Sequence, residues 1–224
     1  MRLLLISSST VHGYGYLDQS EPEIRAFLGS GQRVAFVPFA AHDHDAYTTK
    51  MRERLSRMDI EVVPLDELNR ADAVFFGGGN TFRLLKTLYD RKLLGVIREL
   101  VREGLPYIGS SAGTVIAGPT MRTTNDMPIV YPPSFDSLGL VGFQINPHYL
   151  DTDPLSTHKG ETREDRIREF HEENATPVVG LREGSSLRVS DGGTTLLGEK
   201  TARVFRRGRE AVEVEPGRID VSPL

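Results

Sequence analysis

The sequence predicts an α/β chain: a doubly wound, mostly parallel sheet with helices on both faces and an antiparallel C-terminal edge. Three observations point there. Short apolar runs such as LLLIS and VAFVPF lack polar alternation, which suits strands buried on both faces of a parallel sheet. Helix-forming stretches separate these runs at the spacing of β-α-β units. The last third instead holds short apolar runs broken by turn residues, with Asp191-Gly192-Gly193 as a hairpin turn.

In chain order, Arg2 to Ser7 is the first strand. Ser20-Glu21-Pro22-Glu23 opens a helix with an N-cap, acidic first-turn residues and an early proline; Ile24, Phe27 and Leu28 form its apolar face, and Gly29 and Gly31 stop it. Arg33 to Phe39 is the second strand, Ala46 to Met58 a charged helix, and Ile60 to Pro64 and Ala71 to Phe76 two further strands. Gly77-Gly78-Gly79-Asn80-Thr81 then turns into a helix carrying Phe82, Leu84, Leu85 and Leu88, and Leu93 to Val101 continues helical character to the Tyr107 strand. Further on, Leu140 to Ile145 is expected as a strand and Glu161 to Glu173 as a charged helix. Strands follow at Pro177 to Leu181, Ser186 to Val189, Thr194 to Leu197, Ala202 to Phe205 and Ala211 to Val214. All of this fits one domain, residues 1–224.

Composition narrows the function classes. With 26 % charged and 38 % hydrophobic residues, the chain has the balance of a globular protein rather than of a disordered tract. The formal net charge of −4 argues against general nucleic-acid binding, and no cysteine is present to serve as nucleophile, thiolate ligand or disulfide partner. The apolar run at the N-terminus is too short for an export signal or a membrane span, so a cytoplasmic location without membrane attachment is expected. No cofactor or metal is expected. His42-Asp43-His44-Asp45 has no third-ligand signature, and no Walker lysine follows Gly77-Gly78-Gly79.

The chemistry centres on Gly109-Ser110-Ser111-Ala112-Gly113, which fits the G-x-S-x-G nucleophile elbow between a strand and a helix and makes Ser111 the candidate nucleophile. The plain alternative is a Ser/Gly-rich linker. A serine nucleophile needs a base and a carboxylate behind it. His148 directly follows an expected strand, where catalytic groups of this architecture collect, and is preferred over His12, His42, His44, His158 and His171. Asp126 and Glu183 both sit at element boundaries, and position does not choose between them. For the oxyanion, the N–H of Ala112 is one donor and the turn at Gly78 and Gly79 offers the other. On the substrate side, Asn80 beside that turn, His158 and Arg163 are the candidates.

Four segments, GGGNTFRLLK, YIGSSAGTVIAGPTMRTTNDMPIV, FQINPHY and HKGETREDRIREF, together strongly resemble the peptidase E (aspartyl dipeptidase) family of serine peptidases. The resemblance implies a flavodoxin-like sheet related to class I glutamine amidotransferases and hydrolysis of dipeptides that begin with aspartate. It places Ser111 as nucleophile, His148 as base, Glu183 on the carboxylate position and Asp126 on a nearby carboxylate. Around Glu183 this chain reads Leu181-Arg182-Glu183-Gly184-Ser185-Ser186 where the family has Leu-Pro-Glu-Gly-Asn-Trp. The implied partner is a small acidic dipeptide, with a homodimer left open. The preference for Arg163 rests on that implied acidic substrate, since a guanidinium suits a carboxylate. A cyanophycinase-like hydrolase of acidic polymers and a non-catalytic small-molecule binding protein are the rival readings.

Overall fold

The computed structural model describes residues 1–152 and 160–222. Five strands, β1 (Leu3–Ile6), β2 (Gln32–Val37), β3 (Ile60–Val63), β4 (Ala73–Phe76) and β5 (Tyr107–Ser110), form a parallel ladder in the spatial order β1-β5-β4-β2-β3. Because successive side chains point to opposite faces, each strand feeds two cores. Leu4, Ile6, Val34, Phe36, Phe75 and Ile108 meet Ile24 and Phe27 of α1 (Glu21–Leu28) and Met51 and Leu55 of α2 (His44–Ser56). Leu3, Leu5, Val37, Val74 and Phe76 face the other way, onto α3 (Thr81–Asp90) and α4 (Leu93–Arg102). That two-sided burial is why these runs carry no polar alternation.

Local chemistry sets the helix ends. α2 begins two residues before its expected start, because the Asp43 side chain accepts from Ala46 N–H at 2.9 Å and caps it. Ser20 stands at the N-cap of α1 but makes no side-chain capping bond; there the early proline and the acidic first turn remain as signals. A 3-10 turn over Leu65–Arg70, not anticipated from sequence, delays β4 to Ala73.

After β5 comes α5 (Ala112–Val115), a single turn. The expected strand at Leu140 to Ile145 is displaced: β6 is Gln144–Pro147. Leu140 and Val141 spend their N–H groups on the Ala117 carbonyl, at 2.9 and 3.2 Å, and Leu138 spends its own on Ile116, so this stretch closes the end of the elbow helix instead of pairing. α6 (Arg163–Glu173) follows, opened by a reciprocal capping box between Thr162 and Asp165.

The remaining strands are β7 (Val178–Leu181), β8 (Ser186–Ser190), β9 (Gly193–Leu197), β10 (Ala202–Phe205), β11 (Val212–Val214) and β12 (Gly217–Ile219). β8, β9 and β12 extend the main sheet beyond β1 as the antiparallel edge. The others form a second sheet in the order β11-β10-β7-β6, in which β6 and β7 run parallel. Ile145, Val179 and Leu181 of that sheet join the apolar cluster on the α3/α4 side of the main sheet. The carboxyl ends of β1, β4 and β5 thereby meet those of β6 and β7.

Candidate active site

Ser111 sits at φ 50 and ψ −107, a conformation that an L-residue adopts only when its surroundings enforce it, at a cost of about 1–3 kcal/mol. The enforcement is steric and polar. A Cβ on Gly109 would stand 2.6 Å from the Gly113 carbonyl carbon, and one on Gly113 would collide with the Phe76 carbonyl oxygen, so β4, β5 and α5 close to this separation only through glycine. Ser111 N–H donates to the Ile6 carbonyl at 3.0 Å, and the Thr114 hydroxyl bridges the Ile6 and Gly109 carbonyls at 2.7 and 2.8 Å.

His148, like Ser111, stands at positive φ, at 54, immediately after β6. Its N–H donates to Ser7 Oγ at 2.9 Å, and that hydroxyl donates to the Leu181 carbonyl at 2.8 Å, so a serine at the end of β1 ties β6 to β7. The imidazole reaches Ser111 Oγ through Nε2 at 2.8 Å and Glu183 Oε1 through Nδ1 at 2.6 Å. An ionised carboxylate only accepts, so Nδ1 carries the proton and the Nε2 lone pair faces the serine hydroxyl. The arrangement can take a proton from Ser111 and hold the resulting imidazolium.

Glu183 lies in the turn between β7 and β8, which is fastened by its neighbour. Arg182 donates through Nε and Nη2 to both Asp151 oxygens, at 2.8 and 2.7 Å, and through Nη1 to Glu213 at 2.5 Å. Hydrogen bonding to Asp151 raises the Arg182 pKa, and the same guanidinium holds Asp151 below its ordinary range. Burial pushes Glu213 up, but its bonds to Arg182 and Thr201 outweigh this and leave it lowered.

Asp126, the alternative triad acid, does not touch His148. One of its oxygens accepts from Thr81 N–H at 2.7 Å, from the Thr81 hydroxyl at 2.5 Å and from the Thr124 hydroxyl at 3.1 Å, at the start of α3. It does line the same cavity as Ser111, Gly78, Gly79, His148 and Glu183, a space of about 570 Å³. Asn80, expected on the substrate side, is occupied elsewhere: its oxygen caps α3 by accepting from Arg83 N–H and its amide donates to the Met127 carbonyl at 2.9 Å. Arg163 lines a neighbouring cavity, where Nη1 donates to Asn125 Oδ1 at 2.8 Å; burial and the nearby Arg166 lower its pKa. His158 lies outside the described residues.

Around the proposed oxyanion position, none of the N–H groups of Gly78, Gly79 and Ala112 donates to a backbone carbonyl among the described residues. Gly78 lies so close to the elbow that a Cβ would stand 3.1 Å from Ser111 Cβ, and Gly79, at φ +134, would bring a Cβ to 2.6 Å from the Ala40 oxygen. Gly79 therefore needs glycine for the turn to meet the elbow, while at Gly78 a side chain would press on Ser111 itself.

Several residues of the site escape a sequence reading. Ser7 had an available signal, since it ends an apolar run at a strand's carboxyl end, the criterion that selected His148. Asn125 had little: its amide donates to the Pro147 carbonyl at 3.0 Å and its oxygen accepts from Asn146 and Arg163, contacts made across 22, 21 and 38 residues of chain. Tyr16, Tyr47 and Lys50 also line the cavity, from loops and a helix that looked merely polar.

A strained serine, a histidine and a carboxylate hydrogen-bonded in series at the carboxyl ends of parallel strands define a hydrolase-type site on an α/β fold. The description "Peptidase family S51" matches residues 3–197, and the chain belongs to that family of peptidases. It is 57 % identical over 231 residues to Peptidase E of Streptomyces coelicolor, covering 100 % of this chain and 95 % of that one. It is 48 % identical over 224 residues to a Drosophila melanogaster protein named "Probable alpha-aspartyl dipeptidase", covering 96 % and 93 %. A solved peptidase from an acI-B1 actinobacterium superposes with a TM-score of 0.65 at 16 % identity, covering 97 % of this chain and 95 % of that one, which bears on fold alone. Among the described residues no helix is long and apolar enough to cross a membrane, and no three potential ligands cluster as for a metal ion.

Proposed function

We propose that this chain is a serine dipeptidase that cleaves Asp-X through an acyl-enzyme. The observation that carries the reading is the unbroken Ser111–His148–Glu183 hydrogen-bond series at 2.8 and 2.6 Å. His148 Nε2 takes the Ser111 proton as Oγ attacks the aspartyl carbonyl, and Glu183 stabilises the imidazolium. The N–H groups of Gly78, Gly79 and Ala112 receive the oxyanion. The imidazolium then protonates the departing amine, and a water activated by the same histidine releases aspartate.

Aspartate at the first position is supported by the printed name of the Drosophila relative and by charge. The cavity's carboxylate not bonded to His148, Asp126, is the acceptor for the substrate ammonium, and Arg163, one residue from the cap of α6, is the donor for the side-chain carboxylate. A cytoplasmic location is part of the same proposal. Kinetics on Asp-Leu test the mechanism: Ser111→Ala should lower kcat by about 10⁴-fold or more, since members of such a series act as a unit. A rate near that of the unaltered protein would overturn it. Arg163→Ala should cost Asp-Leu more than Ala-Leu, and equal losses would remove Arg163 from the specificity site.

A further inference from the structure

The cavity around Ser111 contains a cation that the mechanism leaves unused. Lys50 of α2 lines it together with Tyr16 and Tyr47. Tyr47 and Lys50 are three residues apart on one helix and so share the face turned to the cavity. The wall they form is built rather than incidental. Tyr47 packs edge-on against Phe36 at 5.1 Å and Tyr16 at 6.3 Å, and the Tyr16 backbone is fixed by Arg54 Nε, which donates to its carbonyl at 2.7 Å. Lys50 Nζ rests over the Tyr16 ring, 4.1 Å from its centroid, and has no carboxylate within 4 Å among the described residues. An ammonium on an aromatic face with no paired anion is poised for an incoming one.

The substrate's charges say which anion. An Asp-X dipeptide has one ammonium and two carboxylates, and the proposed function, on which this inference rests, assigns the ammonium to Asp126 and the aspartyl carboxylate to Arg163. The C-terminal carboxylate of X has no partner in that scheme. Lys50 reaches the strand ends from the face covered by α1 and α2, whereas Arg163 is tied through Asn125 to β6, whose Ile145 packs on the opposite face. The two cations therefore flank the reacting serine from opposite sides of the sheet. We propose that Lys50 binds the free C-terminal carboxylate of the leaving residue and so selects dipeptides over longer or blocked peptides.

The test compares Asp-Leu with Asp-leucinamide, which differ only in that carboxylate, in the unaltered chain and in Lys50→Met, which keeps an apolar stem over Tyr16. The unaltered chain should prefer the free acid by about 10- to 100-fold in kcat/KM, the range of a hydrogen bond to a charged group. In Lys50→Met the preference should fall to within about 3-fold through a higher KM for the acid, with the amide unaffected, and Lys50→Arg should restore it. An unchanged preference in Lys50→Met, or equal losses on both substrates, would overturn the assignment. So would an unaltered chain that cleaves acid and amide equally well, a result that leaves the dipeptidase reading standing. A chain that cleaves neither would remove that reading and this inference together.

Discussion

The turn that holds Ser111 and the turn that holds Glu183 are positioned by different physics. At the elbow, between β5 and α5, backbone is pressed against backbone: Gly109 and Gly113 leave no room for a methyl group, and the serine is driven to φ 50 by contacts that have no alternative. At the β7–β8 turn the chain is clamped by charge, with Arg182 spread between Asp151 and Glu213. The histidine between them belongs to neither scheme. It too is forced to positive φ, but a single hydroxyl, that of Ser7, fixes its backbone. Steric enforcement is stiff and fails abruptly. An ion-pair clamp yields gradually and responds to pH and salt.

The largest expected effect breaks the steric half. Gly113→Ala places a methyl group against the Phe76 carbonyl, where neither partner is a flexible side-chain end. A loss of about 3 kcal/mol in folding stability, read by urea denaturation, and near-complete loss of peptidase activity are expected. Gly95→Ala is the control, since the same methyl at Gly95, inside α4, meets nothing within 4 Å. There the stability should rise by about 0.5–1 kcal/mol with activity intact. Equal effects at the two glycines would dissolve the contrast.

Ser7→Ala tests the residue between the two schemes. It removes the acceptor for His148 N–H and the donor to the Leu181 carbonyl together. The Leu181 carbonyl keeps its bond from Tyr149 N–H, at 3.1 Å, so the His148 N–H is the group left unpaired; such a group costs about 1–3 kcal/mol, and the histidine, released at its backbone, should lose its alignment on Ser111. The expected outcome is a drop in kcat of about 10-fold with KM nearly constant. A variant with the usual kcat would show that packing alone orients the imidazole.

The contrast between sterics and charge also explains what the sequence conveys. Gly109, Ser111 and Gly113 are legible because their constraint is contained in five consecutive residues. The parallel core was legible for a related reason: burial on both faces leaves a local imprint, the unbroken apolar run. Partner choice leaves none. β7 and β8 are both short runs built around a few apolar residues, yet one pairs with β6 and β10 and the other with β1 and β9, so the C-terminal strands could not be divided between two sheets beforehand. β6 was misplaced because Leu140 and Val141 look like strand but bond to Ala117. Position along the chain left Asp126 and Glu183 level and only the family resemblance favoured Glu183; the physical ground for that choice, the bond from His148, is made across 35 residues of chain.

Arg182→Met gives the smallest effect and probes the clamp itself. Asp151 and Glu213 are about half exposed, at 52 % and 45 % of their side-chain surface, so solvent screening holds the stability loss to about 1 kcal/mol or less. The sign of its pH dependence follows from the two carboxylates, both lowered in the fold from ordinary values of 3.8 and 4.5. A depressed carboxylate contributes stability that is fully present above its unfolded pKa and is lost as pH falls through its folded one. The difference in Tm between the unaltered chain and Arg182→Met should therefore be constant near pH 7, narrow below about pH 4, and shrink at pH 7 as salt rises. Activity should fall only a few-fold, because Glu183 keeps its bond to His148 while its turn loosens. If instead kcat fell as far as in Ser7→Ala, with a Tm gap indifferent to pH and salt, Arg182 would be acting by packing, and the acid turn would be held by the same kind of force as the elbow.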